Sequence, residues 1–449
     1  MTHYKFLLRG VFLCLMMGCL GVSEIRGAAI ARAVLTHGPV VGAVTDTTAR
    51  VFARTNQGAE VNLRYGRAAD LREASQARQS TSAGHDFTTI ISLATLEPAT
   101  VYYLDIVVNG VSQLAFPYPQ FKTFPPLGAP VSFRFVILND FGETGSTQPP
   151  VPYKVATFKN ADAEHPDFVI IGGDLGHNNM STLSDKRQQF KDLYTIPSPA
   201  NHNTDFVRRI LDRYPVAHMW DDHDYGANNS NKTYPFKDLS YQVLNEYFPV
   251  YPLTPNGDWQ TFSYAQADFF LLDSRSQRDP NAKPNGPLKS MLDGDHLGSV
   301  GQMEWLEQGL ANSTALWKFI VSPIPFNSTL KKRDSWTGFR HERAQLVKFI
   351  QSHSISGVIL LSGDAHIGAL DDGTNSDFPE MLVPGPNLSK CATTRKPGMW
   401  SHGIYWSGPS KKPPCNGYGV VSVNANPSKV QLQVKNTDGN TQLDLTVKP

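Results

Sequence analysis

The sequence predicts an α/β protein whose main domain follows a small all-β sandwich. From about Val34 to Phe124, short strand-like runs such as "EVNLRYG" and "TVYYLDIVVNG" alternate with turn residues, and helical periodicity is absent. After the Pro/Gly-rich "FPPLGAP", apolar strands alternate with helical stretches such as "DFVRRILDRY" and "RAQLVKFIQS". A chain of 449 residues is long enough for two domains. We place them at residues 34–124 and 131–449.

The start of the chain has the pattern of a secretory leader. A basic beginning precedes "VFLCLMMGCLG", an apolar run shorter than the roughly 20 residues of a membrane span, and small residues for cleavage follow in "RGAA". We therefore expect residues 1–29 to be a signal peptide, the protein to be secreted, periplasmic or extracellular, and no transmembrane span to follow. Lipid attachment at Cys19 is the alternative. In an oxidising compartment, one disulfide between Cys391 and Cys415 is the economical interpretation.

Charge gives little indication of a macromolecular partner. Lys and Arg total 41 against 40 Asp and Glu, for a formal net charge of +1. This balance provides no bulk electrostatic reason to expect nucleic acid or an acidic membrane as a partner, so any attraction for an anionic substrate must be local. No G-x-S-x-G elbow occurs in the sequence, so a serine-nucleophile hydrolase lacks its usual sequence support.

Four apolar runs of the α/β region end in aspartates. They are "FRFVILND" at Asp140, "DFVIIGGD" at Asp174, "VAHMWDD" at Asp222 and "GVILLSGD" at Asp364. Ligands of α/β sheets gather at the carboxyl ends of the strands, so we expect these four side chains to converge on one site. A single aspartate in such a place can be a helix cap, but four with the same pattern are much harder to explain in that way.

Histidines accompany three of these aspartates. His177 stands three residues after the second, His223 directly after the third and His366 two residues after the fourth. Carboxylates and imidazoles are the ligands that a divalent or trivalent pair of hydrolytic metal ions requires. The stretch "WDDHD" is costly to bury unless a cation, a proton or a donor network compensates its charge. A polar turn is the alternative, and the other motifs favour a metal site.

The order of these motifs resembles that of the calcineurin-like metallophosphoesterases. Their elements D-x-x, G-D-x-x, G-N-H-[ED] and G-H-x-H correspond here to "NDFG", "GGDLGH", "DDHD" and "SGDAH". The last two elements, together with "FFLLDSRSQR", are similar to the PhoD-like alkaline phosphatase and phosphodiesterase branch. The resemblance implies a four-layer αββα metallophosphoesterase sandwich. The preceding domain resembles fibronectin type III, because "LEPATVYY" matches the L-x-P-x-T-x-Y signature in which the tyrosine, here Tyr102, caps a corner through its hydroxyl.

Carried onto this chain, the resemblance implies two metal ions and one catalytic histidine. The implied metal ligands are Asp140, Asp174, His177, Asp222, Asp364 and His366. Asp174 would bridge the two ions, and the catalytic His223 would stand beside the leaving-group oxygen. Asn228 or Asn229 is a candidate for an additional ligand. Arg275 is a candidate for a phosphate contact, with a structural ion pair as the alternative.

The sequence departs from the pattern of that branch in ways that concern the metals. Asp140 and His177, which would bind the first ion with His366, stand where the branch often has Cys and Tyr. No histidine follows the fifth strand in "WKFIVSPIPFNS". The second position, with Asp222 and Asp364, is therefore richer in oxygen and favours harder ions. The candidate metals are Fe, Zn, Mn, Ca and Mg.

The function that these motifs predict is that of a secreted binuclear-metal phosphatase. It would hydrolyse small phosphate mono- or diesters by attack of a metal-bound hydroxide. The other class that we consider is a non-catalytic extracellular binding protein with a degenerate metal centre, which the unusual His177 and the missing later histidine favour. The sequence leaves the preferred ester, the metals and the oligomeric state open.

Overall fold

This computed structural model describes most of the chain after residue 31. The described ranges are 32–142, 156–194, 205–253, 257–293, 301–330, 334–388, 397–405 and 415–449. The predicted signal peptide, Cys19 and Cys391 lie outside them, so secretion, lipid attachment and the disulfide stay predictions. Within the described ranges, no helix has both the length and the apolar character that crossing a membrane requires.

The described residues form 21 strands and six α-helices. The strands are β1 (Leu35–Gly42), β2 (Ala49–Thr55), β3 (Ala59–Gly66), β4 (Ser75–Thr81), β5 (Thr88–Leu93), β6 (Val101–Val108), β7 (Val111–Ser112), β8 (Gln120–Lys122), β9 (Phe133–Leu138), β10 (Phe168–Ile171), β11 (Val216–His218), β12 (Gln260–Tyr264), β13 (Ala267–Leu271), β14 (Trp317–Ser322), β15 (Val358–Ser362), β16 (Gly368–Asp372), β17 (Pro379–Leu382), β18 (Ile404–Tyr405), β19 (Gly417–Ala425), β20 (Ser428–Asn436) and β21 (Thr441–Val447). The helices are α1 (Ala156–Ala163), α2 (Leu183–Tyr194), α3 (Asp222–Tyr225), α4 (Lys237–Tyr247), α5 (Gln302–Asn312) and α6 (Arg340–Ser352). Short 3-10 turns occupy Ala83–His85 and Trp336–Phe339, and a π-helical turn occupies Val207–Leu211.

The strands form three sheets. The first has nine strands in the order β21-β20-β19-β9-β10-β11-β1-β2-β5, and the second has seven in the order β12-β13-β14-β15-β17-β16-β18. The third has the order β4-β3-β6-β7, with β8 also paired to β6. Neighbours β9, β10 and β11 are parallel in the first sheet, as are β13, β14, β15 and β17 in the second.

The first two sheets pack face to face and are flanked by helices. Between them, the ring of Phe135 on β9 lies 5.3 Å from that of Phe269 on β13 and 5.4 Å from that of Phe319 on β14. On the far side of the first sheet, a second apolar cluster includes Phe158 of α1 with residues of α2 and α4. On the far side of the second sheet, Leu306 of α5 packs with residues of α6. Burial of these apolar faces builds the four-layer αββα arrangement that the motifs implied.

The strands that position the site are the four apolar runs predicted from sequence. All residues of β10, β11 and β15 are buried, as are five of the six residues of β9. Such nearly continuous apolar runs are typical of parallel strands covered on both faces. Asp140, Asp174, Asp222 and Asp364 each follow one of these strands by a few residues. The prediction of four strand-end aspartates is therefore confirmed.

The N-terminal strands form a sandwich, one layer of which is continuous with the first sheet. Strands β1, β2 and β5 extend that sheet because β1 pairs in parallel with β11 through Gly42 and Val216. The Tyr102 hydroxyl accepts a hydrogen bond from the Glu97 backbone N–H at 2.9 Å, which confirms the predicted corner. Alternating patterns of apolar and polar residues do not reveal which strand edges pair. The sequence therefore did not predict that N-terminal strands join the first sheet of the main domain. The domain boundaries stay predictions.

The corner hydrogen bond can be tested by Tyr102→Phe. This substitution removes only the hydroxyl and leaves the Glu97 N–H without its partner. We expect the free energy of unfolding to fall by about 1 kcal/mol, measured by chemical denaturation. Tyr103→Phe is the matched control, because the Tyr103 hydroxyl makes no hydrogen bond within the described residues. Equal stability of the two variants would contradict a structural role for the corner.

Candidate metal centre

The residues predicted from the motifs surround one cavity of about 560 Å³ at the carboxyl ends of the strands. Its lining residues are Asp174, His177, Asp222, His223, Asn228, Asn229, Asn281, Asp334, Asp364 and His366. Asp140 is 1% exposed and contacts the imidazole of His366. The structure thus brings all six predicted ligands and the predicted catalytic histidine to one cavity. Asp364, however, groups with Asp221 and Asp222 and not with Asp174, so its role as a ligand of the second ion stays a prediction.

The first group of ligand atoms combines two carboxylates and two imidazoles. One atom each from Asp140, Asp174, His177 and His366 lies within 4.8 Å of the others. His366 Nε2 is 3.6 Å from Asp140 Oδ1, and His177 Nε2 is 3.5 Å from Asp174 Oδ2 and 3.2 Å from His366 Nε2. His177 Nδ1 donates to the Phe141 carbonyl at 3.0 Å, so Nε2 carries the lone pair that faces the group. These donors fit a metal cation.

The second group shares Asp174 with the first. It adds Asp222 and His223, again with all ligand atoms within 4.8 Å. Asp222 Oδ2 accepts a hydrogen bond from the Asn229 N–H at 2.6 Å, whereas the buried Oδ1 has no hydrogen-bond partner among the described residues. A buried carboxylate oxygen without a partner is costly, and a cation would satisfy it. The donor set therefore fits a second ion next to the first.

Backbone conformation helps to aim these side chains. Asp140, Asp174, Asp364 and His366 have φ of 57°, 52°, 64° and 55°, in the left-handed region. Aspartate tolerates this region better than most residues, yet such conformations cost of order 1–3 kcal/mol each and persist only where the surroundings fix them. The chain thus turns sharply straight after β9, β10 and β15, and four of the predicted ligands lie in these turns.

Asp174 and Asp222, the two carboxylates of the second group, lie in different electrostatic surroundings. Burial and the neighbouring Asp222 and Asp221 raise the pKa of Asp174 well above its usual range. Burial alone would also raise the pKa of Asp222, but Arg275 and His223 hold that pKa below its usual value. Two adjacent carboxylates therefore differ in electrostatic surroundings, and Asp174 is the one that most needs a bound cation.

His177 and His223 are neutral near pH 7. Burial, together with His366 and His223, lowers the pKa of His177 to about 3. Burial also lowers the pKa of His223, against the opposing effect of Asp222. Neutral imidazoles are the form in which histidine binds metal ions. The site is therefore prepared to bind cations without first losing protons from these two rings.

Asp224 has a role that sequence reasoning did not assign. Its carboxylate accepts hydrogen bonds from three backbone N–H groups: Asp174 at 2.6 Å, Leu175 at 3.0 Å and Asp221 at 3.1 Å. In addition, the His223 N–H donates to Asp174 Oδ1 at 3.0 Å. Asp224 thus ties the loop after β10 to the loop after β11. The Asp221 N–H contact is part of a capping box at the start of α3, whereas the two donors from the loop after β10 leave no pattern in the local sequence.

The structure also places the remaining candidates. Asn228 and Asn229 line the cavity, and a ligand role for their side chains stays a prediction. Arg275 is fully buried and contacts four carboxylates, which favours the ion-pair alternative over a phosphate contact. Asp334 was missed as a cavity residue, because "KKRD" gave only the pattern of a charged loop. Asn281 was also missed, and no strand or motif precedes it.

Residues 153–384, just over half of the chain, match the family model of the PhoD-like phosphatases. The chain belongs to the PhoD-like phosphatase family. Residues 32–127 match a second family model, described as a domain of unknown function. The resemblance that the four motifs carried is therefore confirmed.

Individual relatives agree with this membership. Alkaline phosphatase D from Bacillus subtilis (strain 168) is 27% identical in an alignment of 314 positions that covers 60% of this chain and 52% of that protein. The match thus spans about half the length of this curated relative. The solved structure of PhoD superposes with a TM-score of 0.69 over 91% of this chain and 89% of PhoD, at 18% identity. The structure of a purple acid phosphatase isolated from yellow lupin (Lupinus luteus) seeds superposes with a TM-score of 0.63. The superposition covers 93% of this chain and 74% of the phosphatase, at 15% identity. Both confirm the predicted fold.

The tie made by Asp224 is testable by Asp224→Asn. The amide keeps the shape but removes the charge and one acceptor, so at least one buried N–H loses its partner. We expect the free energy of unfolding to fall by about 2 kcal/mol, measured by chemical denaturation. Asp238→Asn, at an exposed position of α4, should change it by less than about 0.5 kcal/mol. Similar values for both variants would show that the three hydrogen bonds do not carry this role.

Proposed function

We propose that this protein is a secreted phosphoesterase with a binuclear metal centre that hydrolyses small phosphate mono- or diesters. The observation that carries the proposal is that two groups of ligand atoms share one carboxylate, Asp174, beside a cavity that His223 also lines. Membership in the PhoD-like phosphatases supports the reaction class. The leader pattern of residues 1–29 supports secretion.

The charge of the cavity makes metal ions necessary for such a reaction. Among the described lining residues, the ionised side chains are carboxylates, and the rest are imidazoles and amides. Without a cation this surface repels a phosphate ester. Two bound metal ions supply positive charge for the phosphoryl oxygens and lower the pKa of a water molecule toward neutrality. We therefore expect activity to depend strictly on metal.

The chain's own contribution is to hold the shared carboxylate still. Asp174 Oδ1 accepts the His223 N–H, and the Asp174 N–H is held by Asp224. Both contacts fix the orientation of the bridge and therefore the separation of the two groups. Rigid placement of charge before the reaction is the main source of electrostatic stabilisation in enzymes.

His223 is the group that we assign to the leaving-group oxygen. Its side chain lines the cavity, and its lowered pKa keeps the ring neutral near pH 7. A neutral imidazole still has one N–H, which can donate a hydrogen bond to the departing oxygen and so stabilise the negative charge that develops there. The backbone N–H of the same residue anchors Asp174, so the imidazole and the shared carboxylate are positioned by one turn.

Turnover of p-nitrophenyl phosphate and of bis(p-nitrophenyl) phosphate tests the proposal. The protein reconstituted with Mn²⁺, Fe, Zn²⁺ or Ca²⁺ should hydrolyse at least one of these esters, and chelation should abolish the activity. His223→Ala should reduce turnover by about 100-fold or more even at a metal concentration that keeps two ions bound per chain, so the loss of turnover exceeds any loss of metal affinity. His341→Ala is the control, because that histidine lines a different surface groove. Absence of turnover with every metal would favour the alternative of a non-catalytic binding protein.

Metal content separates the roles of the carboxylates. Asp174→Asn should lose both ions, because this residue belongs to both groups, whereas Asp140→Asn and Asp222→Asn should each weaken one. The measurement is elemental analysis after dialysis against a fixed concentration of Mn²⁺. If Asp174→Asn kept two ions per chain, the shared bridge would be wrong.

A further inference from the structure

A third acidic group lies next to the two proposed metal positions. It consists of Asp221, Asp222 and Asp364, whose oxygens lie within 4.8 Å of one another. Asp221 and Asp222 are buried, Asp364 is partly buried, and the group contains no histidine. Three carboxylates at this spacing repel one another unless a positive charge lies between them.

That positive charge is the guanidinium of Arg275. Nε contacts Asp221, Nη1 is 3.5 Å from Asp222 Oδ2, and Nη2 is 3.2 Å from Asp364 Oδ1. Each nitrogen therefore faces a different carboxylate of the group. The side chain of Arg275 is 0% exposed. A planar cation with five N–H donors matches several carboxylates at once, which an ammonium group cannot do.

The position of Arg275 is fixed by its own loop. Asp273 Oδ1 accepts hydrogen bonds from the backbone N–H groups of Arg275 and Ser276, both at 2.9 Å. The same oxygen accepts the indole N–H of Trp220 at 2.9 Å, and Trp220 directly precedes Asp221. The loop that carries the guanidinium and the turn that carries its first carboxylate are thus joined by one buried side chain.

On the cavity side, Asp334 closes the ion-pair network. Its two oxygens lie 3.1 and 3.2 Å from Arg275 Nη1, and it also pairs with Arg278. Both arginines are fully buried, whereas Asp334 lines the cavity. The guanidinium of Arg275 therefore contacts four carboxylates and has no exposed surface that a substrate could reach.

We propose that Arg275 is a built-in cation that occupies the third acidic group, so that this group binds no metal ion. The same contact positions Asp222. Arg275 and the Asn229 N–H contact Asp222 Oδ2, whereas Oδ1 lies 3.9 Å from His223 Nε2, on the side of the group that contains Asp174 and His223. This inference rests on the proposed metal centre, because it takes Asp222 to be a metal ligand. It extends that proposal in two ways: Arg275 positions Asp222, and the third acidic group adds no further ion.

Calcium binding by equilibrium dialysis tests the inference, because an all-oxygen group suits Ca²⁺. Arg275→Gln removes the charge but keeps donor groups, and it should bind one more Ca²⁺ per chain than the wild type. Its melting temperature should rise with Ca²⁺ beyond any rise of the wild type. Arg275→Lys keeps the charge and should restore the wild-type number of ions. Arg278→Gln, which removes the neighbouring buried arginine, should also leave that number unchanged.

Three results would overturn the inference. They are an unchanged number of ions in Arg275→Gln, an equal gain in Arg278→Gln, and a third ion per chain in the wild type. The last applies even if Arg275→Gln does not fold, because it needs only the wild-type protein. Failure of the proposed function would give a different result: protein that contains its metal ions would not hydrolyse either ester. That result would not change the number of ions bound at the third group.

Discussion

The rest of the site depends on one constraint: several buried carboxylates must each find a compensating partner. The carboxylates that meet around the cavity are Asp140, Asp174, Asp221, Asp222, Asp224, Asp334 and Asp364. Burying ionised groups without compensation costs several kcal/mol for each ion. The formal net charge of the whole chain is only +1, so the compensation cannot come from a general excess of cations and has to be local.

The fold satisfies this constraint in three chemically different ways. Asp224 is held by three backbone N–H groups, and its position fixes two loops. Asp221 and Asp334 are paired with a buried guanidinium from the loop after β13. Asp174 has the raised pKa expected of a carboxylate that a cation still has to compensate. These residues are all aspartates, and the groups that neighbour each carboxylate decide whether its role is structural or metal-binding.

The parts that the sequence predicted are those encoded in short stretches. Continuous apolar runs predicted β9, β10 and β15, and the aspartates after them were placed correctly at the strand ends. The signature "LEPATVYY" predicted the corner at Tyr102. The contacts that tie Asp224 to the loop after β10 and Asp334 to Arg275 could not be predicted in this way, because these partners lie about 50 or more residues away in the chain. The pairing of β1 with β11, and the left-handed backbone at the ligands, also leave no local pattern.

The central claim is that two metal ions share Asp174 while Arg275 fills the adjacent acidic group. A crystal structure of the Mn²⁺-loaded protein, with an anomalous difference map, tests it most directly. We expect two peaks, both beside the carboxylate of Asp174, and the guanidinium of Arg275 between Asp221 and Asp364. A single peak, or a peak between those two aspartates with Arg275 displaced, would contradict it.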